Sequence, residues 1–183
     1  MSDGGPAWDT SAEYPALTSP EFRADIDALK NELLKLKAAS DLYKPTMLAL
    51  LGDEISVPDE SRNVFLTDLK NLQDSISHIR VLVAHLQTYV NCELCIDDKN
   101  PEANRAQSEI TALQVEFETA GKPIWLFLDR ASEKFVAEYL NDPKTRNEEF
   151  TLRQSRVWSN TLLSEKEEII LTRMKTHGPS LWG

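Results

Sequence analysis

Cysteine is nearly absent from this chain: Cys92 and Cys95 are the only two in 183 residues. Two neighbouring thiols cannot make a disulfide framework, so burial must hold the fold, and such usage suits a reducing compartment. Histidine is equally scarce, with His78, His85 and His177 only, and no His-Glu pair occurs. No apolar run approaches the roughly 18–20 residues of a membrane span. Met1 to Thr10 has neither a basic start nor an apolar stretch. No secretory signal is therefore read, and a cytoplasmic location is expected. Basic residues are outnumbered, 20 against 30 acidic, for a net charge of −10. That balance excludes the concentrated Lys and Arg that nucleic acid demands, and it disfavours anionic membrane surfaces. The acidity reads as solubility before it reads as an acidic binding site. Gly-x-Gly-x-x-Gly, Walker and Gly-x-Ser-x-Gly motifs are all missing, and no Ser, Cys or Thr has an evident base partner.

What is present is helical periodicity in a chain long enough for one domain with a real core. Hydrophobic residues make up 41% and charged residues 27%, as in ordinary soluble domains. Residues 1–18 are rich in Gly, Pro, Ser and Asp and read as an extended arm anchored by Trp8, Tyr14 and Leu17. Ser19-Pro20-Glu21 is a helix start: a capping hydroxyl, then proline at the first helical position. Phe22, Ile26, Leu29, Leu33 and Leu36 follow at alternating four and three, which predicts an amphipathic helix of about five turns. Residues 40–60 break the pattern at Pro45, Gly52 and Pro58, around a short apolar turn at Met47 to Leu51. Asp59 or Ser61 opens the longest stripe, Phe65, Leu69, Leu72, Ile76, Ile79, Val83, Leu86 and Val90, about seven turns long. Asn100-Pro101 starts a third helix carrying Ala106, Ile110, Leu113, Phe117 and Ala120, and Gly121-Lys122-Pro123 is expected to end it. Ile124 to Leu140 reads as a fourth helix, stopped by Asn141-Asp142-Pro143. Residues 145–160 read as a fifth, and Ser164 with Glu167 forms a capping box for a sixth. The expected fold is all-α: an elongated antiparallel bundle of about six helices over residues 19–183, with the arm packed across it by Trp8 and Tyr14.

No residue of this chain is read as a catalytic, cofactor-binding or metal site. His78 and His85 lie seven apart on one predicted helix, about 10 Å along its axis. They cannot share a zinc ion, whose bonds to nitrogen are about 2 Å, and they read as boundary histidines. His177 falls in the last predicted turn, where imidazole favours the helix dipole. Cys92-Glu93-Leu94-Cys95 is the sharpest local motif. A zinc site would need two further ligands, and a redox couple normally sits in a βαβ setting, so these read as small buried thiols near a helix end. The many acids alternate with Lys and Arg and read as solvated faces. Trp125, Phe127, Phe135 and Tyr139 read as core.

Three stretches carry a resemblance. Pro6-Ala7-Trp8-Asp9, Tyr14-Pro15-Ala16-Leu17 and Ser19-Pro20-Glu21-Phe22 form the first, and Ala84 to Cys92 with Tyr89 the second. The third is the tail, Leu163-Ser164-Glu165-Lys166-Glu167-Glu168, with Gly178 and Trp182. Together they resemble the opening, non-catalytic helical region of oligoendopeptidase F-like zinc metallopeptidases. In that family the glycine and tryptophan of the tail usually stand one residue closer. The resemblance implies a domain that walls a channel for oligopeptides and docks on a catalytic domain bearing His-Glu-x-x-His and a zinc ion. Neither the motif nor the zinc maps onto this chain, so the chain alone is expected to be inactive, its zinc and its oligopeptide substrates belonging to the whole enzyme. The family's catalytic domain follows this region, and here the chain ends, by truncation or by a split gene. The other reading is a free-standing helical module that binds a partner helix or forms a homodimer through its four-three stripes. A Cys-x-x-Cys redox protein is the third, and it would require that pair to be exposed and acidified.

Overall fold

The structure, a computed structural model, describes residues 10–52, 57–158, 167, 169 and 170. It is all-α, with no strand among the described residues. Three long helices, α1 (Pro20–Gly52), α2 (Asp59–Ile96) and α3 (Pro101–Arg130), each pack on the other two. Two short helices, α4 (Glu133–Leu140) and α5 (Glu149–Val157), follow, separated by a 3-10 turn at Arg146–Glu148. Trp8, and the start and end of the expected sixth helix, lie outside the described residues.

Each helix begins for a chemical reason. The Ser19 hydroxyl accepts from the Phe22 N–H at 3.3 Å, and Asn100 Oδ1 accepts from Glu102 and Ala103 at 2.9 and 3.2 Å. Ser132 Oγ accepts from the Phe135 N–H at 3.1 Å. These caps satisfy N–H groups left without a partner in the first turn. Glu21, Asp59, Glu60, Glu102, Glu133 and Glu149 sit in first turns, where negative charge complements the helix dipole.

Two expected helix ends do not occur. The first helix continues through Pro45 to Gly52, 33 residues in all. An interior proline costs about 3 kcal/mol, but Met47 and Leu50 beyond it are buried to 3% and 7% exposure. Burial of each stabilises by roughly 1.5–3 kcal/mol, which offsets the defect. The third helix likewise runs through Gly121-Lys122-Pro123 to Arg130, because Ile124, Leu126, Phe127 and Leu128 behind the proline are all buried. The expected fourth helix, 124–140, is therefore divided: its first part completes α3, and the Ser132 cap opens α4. The second helix is longer than its stripe suggests, 38 residues, or about 57 Å at 1.5 Å per residue.

The arm packs as expected where it is described. Tyr14 and Leu17 are 3% and 4% exposed. Tyr14 meets Phe22 and Tyr89 edge-on, with centroids 5.3 and 4.9 Å apart. At the opposite end of the bundle, Phe65, Phe127 and Phe135 form a second aromatic knot at 5.1–5.9 Å spacings, with Tyr43 5.0 Å from Phe65. Buried Arg62 lies over the Phe135 ring and pairs with Glu138 at 2.8 Å, tying α2 to α4. Thr145, wholly buried, donates to the Tyr139 carbonyl and closes the turn after α4.

Gly121 has a specific steric role. A Cβ added there would stand 2.5 Å from the Trp125 ring, which itself packs edge-on against Phe117 at 5.6 Å. Gly121→Ala would gain about 0.8–1.0 kcal/mol of helix propensity but overpack the ring at a cost of about 1–3 kcal/mol. We expect net destabilisation by roughly 1 kcal/mol in urea unfolding, and the same substitution in a Trp125→Leu background should become stabilising.

Candidate functional site

Two features combine polar chemistry with a defined shape. The first is the clasp that ties the arm to α1 and α2. The Tyr14 hydroxyl donates to Asp25 Oδ2 at 2.6 Å, and Tyr89 donates to the Tyr14 carbonyl at 3.3 Å. His85 stacks on Tyr14, and its Nε2 lies 2.8 Å from Glu13. A carboxylate only accepts, so Nε2 carries the proton and donates. Thr10 donates to Glu93 at 2.5 Å. Burial, with the Asp25 hydrogen bond second, pushes the Tyr14 phenol well above its usual range.

The second feature is a groove of about 630 Å³ between α1 and α3. Lys30, Leu33, Lys37, Asp41 and Lys44 line it from α1, and Leu113, Glu116, Thr119 and Pro123 from α3. These helices run parallel, with Lys30 Nζ 2.8 Å from Glu109 Oε1. Each of the two helices carries an interior proline, Pro45 in α1 and Pro123 in α3. Proline cannot donate to the carbonyl four residues before it. The residues so affected, Asp41 and Thr119, both line the groove. Thr119 Oγ1 is buried and has no hydrogen-bond partner among the described residues. At the upper lip, Glu109 bridges Lys30 and Arg23, at 2.8 and 2.9 Å. Lys30, and then Arg23, hold its carboxyl below the usual range against the opposing effect of burial.

The structure does not bring the candidate residues together as one site. His78 is exposed on α2 and His85 belongs to the clasp; His177 lies outside the described residues. Cys92 and Cys95 stand unlinked in the last turns of α2, the first half-buried and the second exposed. The expectation of two buried thiols is thus corrected: the amphipathic face of α2 turns Cys95 outward. Phe127, Phe135 and Tyr139 are core, with Trp125 half-buried against it. Among the described residues His78 and His85 do not form a zinc ligand set, since they are separated along one rod and His85 already bonds Glu13. Among the described residues no group of three or more His, Cys, Asp or Glu is arranged to hold a metal ion, and no helix is long and apolar enough to cross a membrane. The groove escaped the sequence reading, which took Pro45 and Pro123 as helix ends and so had no long α1 and α3 to pair.

No protein-family model, curated protein or solved structure matches this chain.

Tyr14→Phe should lower stability by about 1 kcal/mol through the lost Asp25 bond, and Tyr14→Ala by about 3 kcal/mol or more, both read by denaturant unfolding. Glu109 supplies the pH test. Its folded-state affinity for protons is depressed, so its contribution is full above its ordinary value of 4.5 and is lost as pH falls through the lower folded value. Asp129 acts oppositely, because burial raises it and acid relieves its ionised form. Glu109→Gln should therefore flatten the loss of thermal stability below about pH 4.5, and an unchanged acid limb would contradict this assignment.

Proposed function

We propose that this chain is the non-catalytic helical scaffold of an oligoendopeptidase F-like zinc peptidase. It walls a channel for short peptides and docks on a catalytic domain that carries His-Glu-x-x-His. The observation that carries the reading is the arm. Tyr14 to Phe22, part of one of the three stretches that carry the resemblance, is also the stretch that locks the bundle, through Tyr14, Leu17, the Ser19 cap and Phe22. A rod of 38 residues in α2, braced along both flanks, has the stiffness a channel wall needs. Leu42 and Leu48 on α1, and Phe150 and Val157 on α5, are 61–77% exposed, and a docked domain would remove such apolar surface from water.

A second reading has its own support. Leu34 and Leu48 are both exposed on α1 and stand two heptads apart, a spacing that also suits a free-standing module pairing with a second copy.

Co-purification with a zinc-loaded oligoendopeptidase catalytic domain, followed by a quenched fluorescent peptide assay, separates the two. The scaffold reading expects a one-to-one complex, chelator-sensitive cleavage only when both parts are present, and none from this chain with zinc. Cleavage by the chain alone would refute it, and a stable homodimer that ignores the catalytic domain would select the module instead.

A further inference from the structure

The last turns of α2 carry two thiols that the peptidase reading leaves without a task. Cys95 is exposed, Cys92 stands half-buried about one turn before it, and the two are not bridged. We propose, independently of that reading, that they are a reversible dithiol–disulfide site, oxidised by a low-molecular-weight disulfide, whose closure unfastens the arm from α2.

The spacing permits the bridge and makes it consequential. Three residues apart on an α-helix, two Cα atoms are separated by about 5 Å, inside the roughly 4.4–6.8 Å that a disulfide spans. Their Cβ atoms are about 5–6 Å apart, whereas a bridge needs about 3.8 Å. The pair can therefore close only by tightening the turn that holds it. In the middle of a long helix that change would disturb hydrogen bonds on both sides. Here the turn is terminal: α2 stops at Ile96, where the Asp97 N–H donates to the Glu93 carbonyl at 3.0 Å. The last four carbonyls of a helix lack intrahelical partners, so this turn has fewer bonds to surrender than an interior one.

The residue between the thiols couples the bridge to the arm. The arm is fastened to α2 along one row, His85, Tyr89 and Glu93, spaced four apart and so on one face. His85 meets Glu13 at 2.8 Å, Tyr89 donates to the Tyr14 carbonyl at 3.3 Å, and Glu93 accepts from Thr10 at 2.5 Å. Glu93 ends the row and lies between the cysteines, while Leu94 beside it packs on the core. Burial holds Leu94, so tightening the turn displaces the Glu93 side chain, which only a hydrogen bond retains. Thr10 is released, and Tyr14 stays packed between Phe22 and Tyr89.

The exchange chemistry balances. The accessible Cys95 thiolate attacks one sulfur of the small disulfide, forms a mixed disulfide and expels one small thiolate. The Cys92 thiolate then attacks the Cys95 sulfur, closes the bridge and expels the second. The two cysteine protons pass through solvent to the expelled thiolates, so the small disulfide is reduced to two thiols as the pair is oxidised. A bridge held against helix geometry is more reducible than a relaxed one, and excess small thiol reverses both steps and restores the turn.

Equilibrating the full chain in glutathione buffers of rising disulfide fraction, followed by intact-mass and hydrogen-exchange mass spectrometry, tests the site. Loss of both thiol hydrogens within one chain is expected, reversed by excess glutathione. With it, amide exchange should rise severalfold over residues 10–13 and 92–97, while residues 22–36 keep their rates. Cys95→Ser should abolish the bridge and the change in exchange. Thr10→Val, kept reduced, should reproduce the rise over residues 10–13 alone, which assigns that signal to the Glu93 contact. A chain that stops at the mixed disulfide, or links only to a second copy, would overturn the proposal. So would a bridge that leaves arm exchange unchanged, or a Thr10→Val arm that exchanges at the original rate.

Discussion

Continuous apolar burial along α1, α2 and α3 is the constraint on which everything else rests. Each rod contacts both others, so no face of the seam is optional. Leu29, Leu36, Ile79, Leu86 and Ile110 are essentially sealed from water, and packing of this kind, more than intrinsic helix propensity, holds each rod in its helical state. The same burial decides the two local conflicts in the chain. At Pro45 and Pro123 the backbone loses a hydrogen bond, and the side chains that follow still reach the core, so each helix goes on.

The ends of the bundle are locked by different chemistry. At one end the arm presses Tyr14 between Phe22 and Tyr89 and ties it through Asp25, so a segment with no helix of its own becomes part of the core. At the other, the Phe65, Phe127 and Phe135 knot is joined to polar staples. Gln73 donates to Glu148 at 3.0 Å and accepts from Tyr139 at 3.4 Å, and burial pushes the Tyr139 phenol upward. Tyr43 donates to Asp68, and that hydrogen bond, with burial second, pushes its phenol up to about 12. Aromatic packing gives each end its shape, and a few buried hydroxyls fix its register.

Much of this was legible because helices announce themselves by period. The stripes of α1, α2 and α3, the Ser19 and Asn100 starts and the buried arm anchors follow from spacing and capping chemistry. The misread points share one cause. Pro45, Gly121 and Pro123 carry strong local signals for a break, and local signals are blind to the core that lies beyond them. The Ser132 cap was legible in principle, a serine just before an acidic helix start, but the aromatic run on either side masked it. The groove was hidden for a deeper reason. Its walls come from two helices separated in sequence by the whole of α2, and only their packing brings them together.

One consequence concerns the chain's acidity. Six carboxylates, from Glu21, Asp59, Glu60, Glu102, Glu133 and Glu149, stand at the openings of the five described helices. Basic residues close only α3 and α5, at Arg130 and Arg156. Part of the chain's acidity thus stands at helix openings: each of the five described helices has an anionic side chain in its first turn, and two of them have a cation in the last. Neutralising those carboxylates would therefore loosen the first turns of the rods while leaving the apolar seam between them intact.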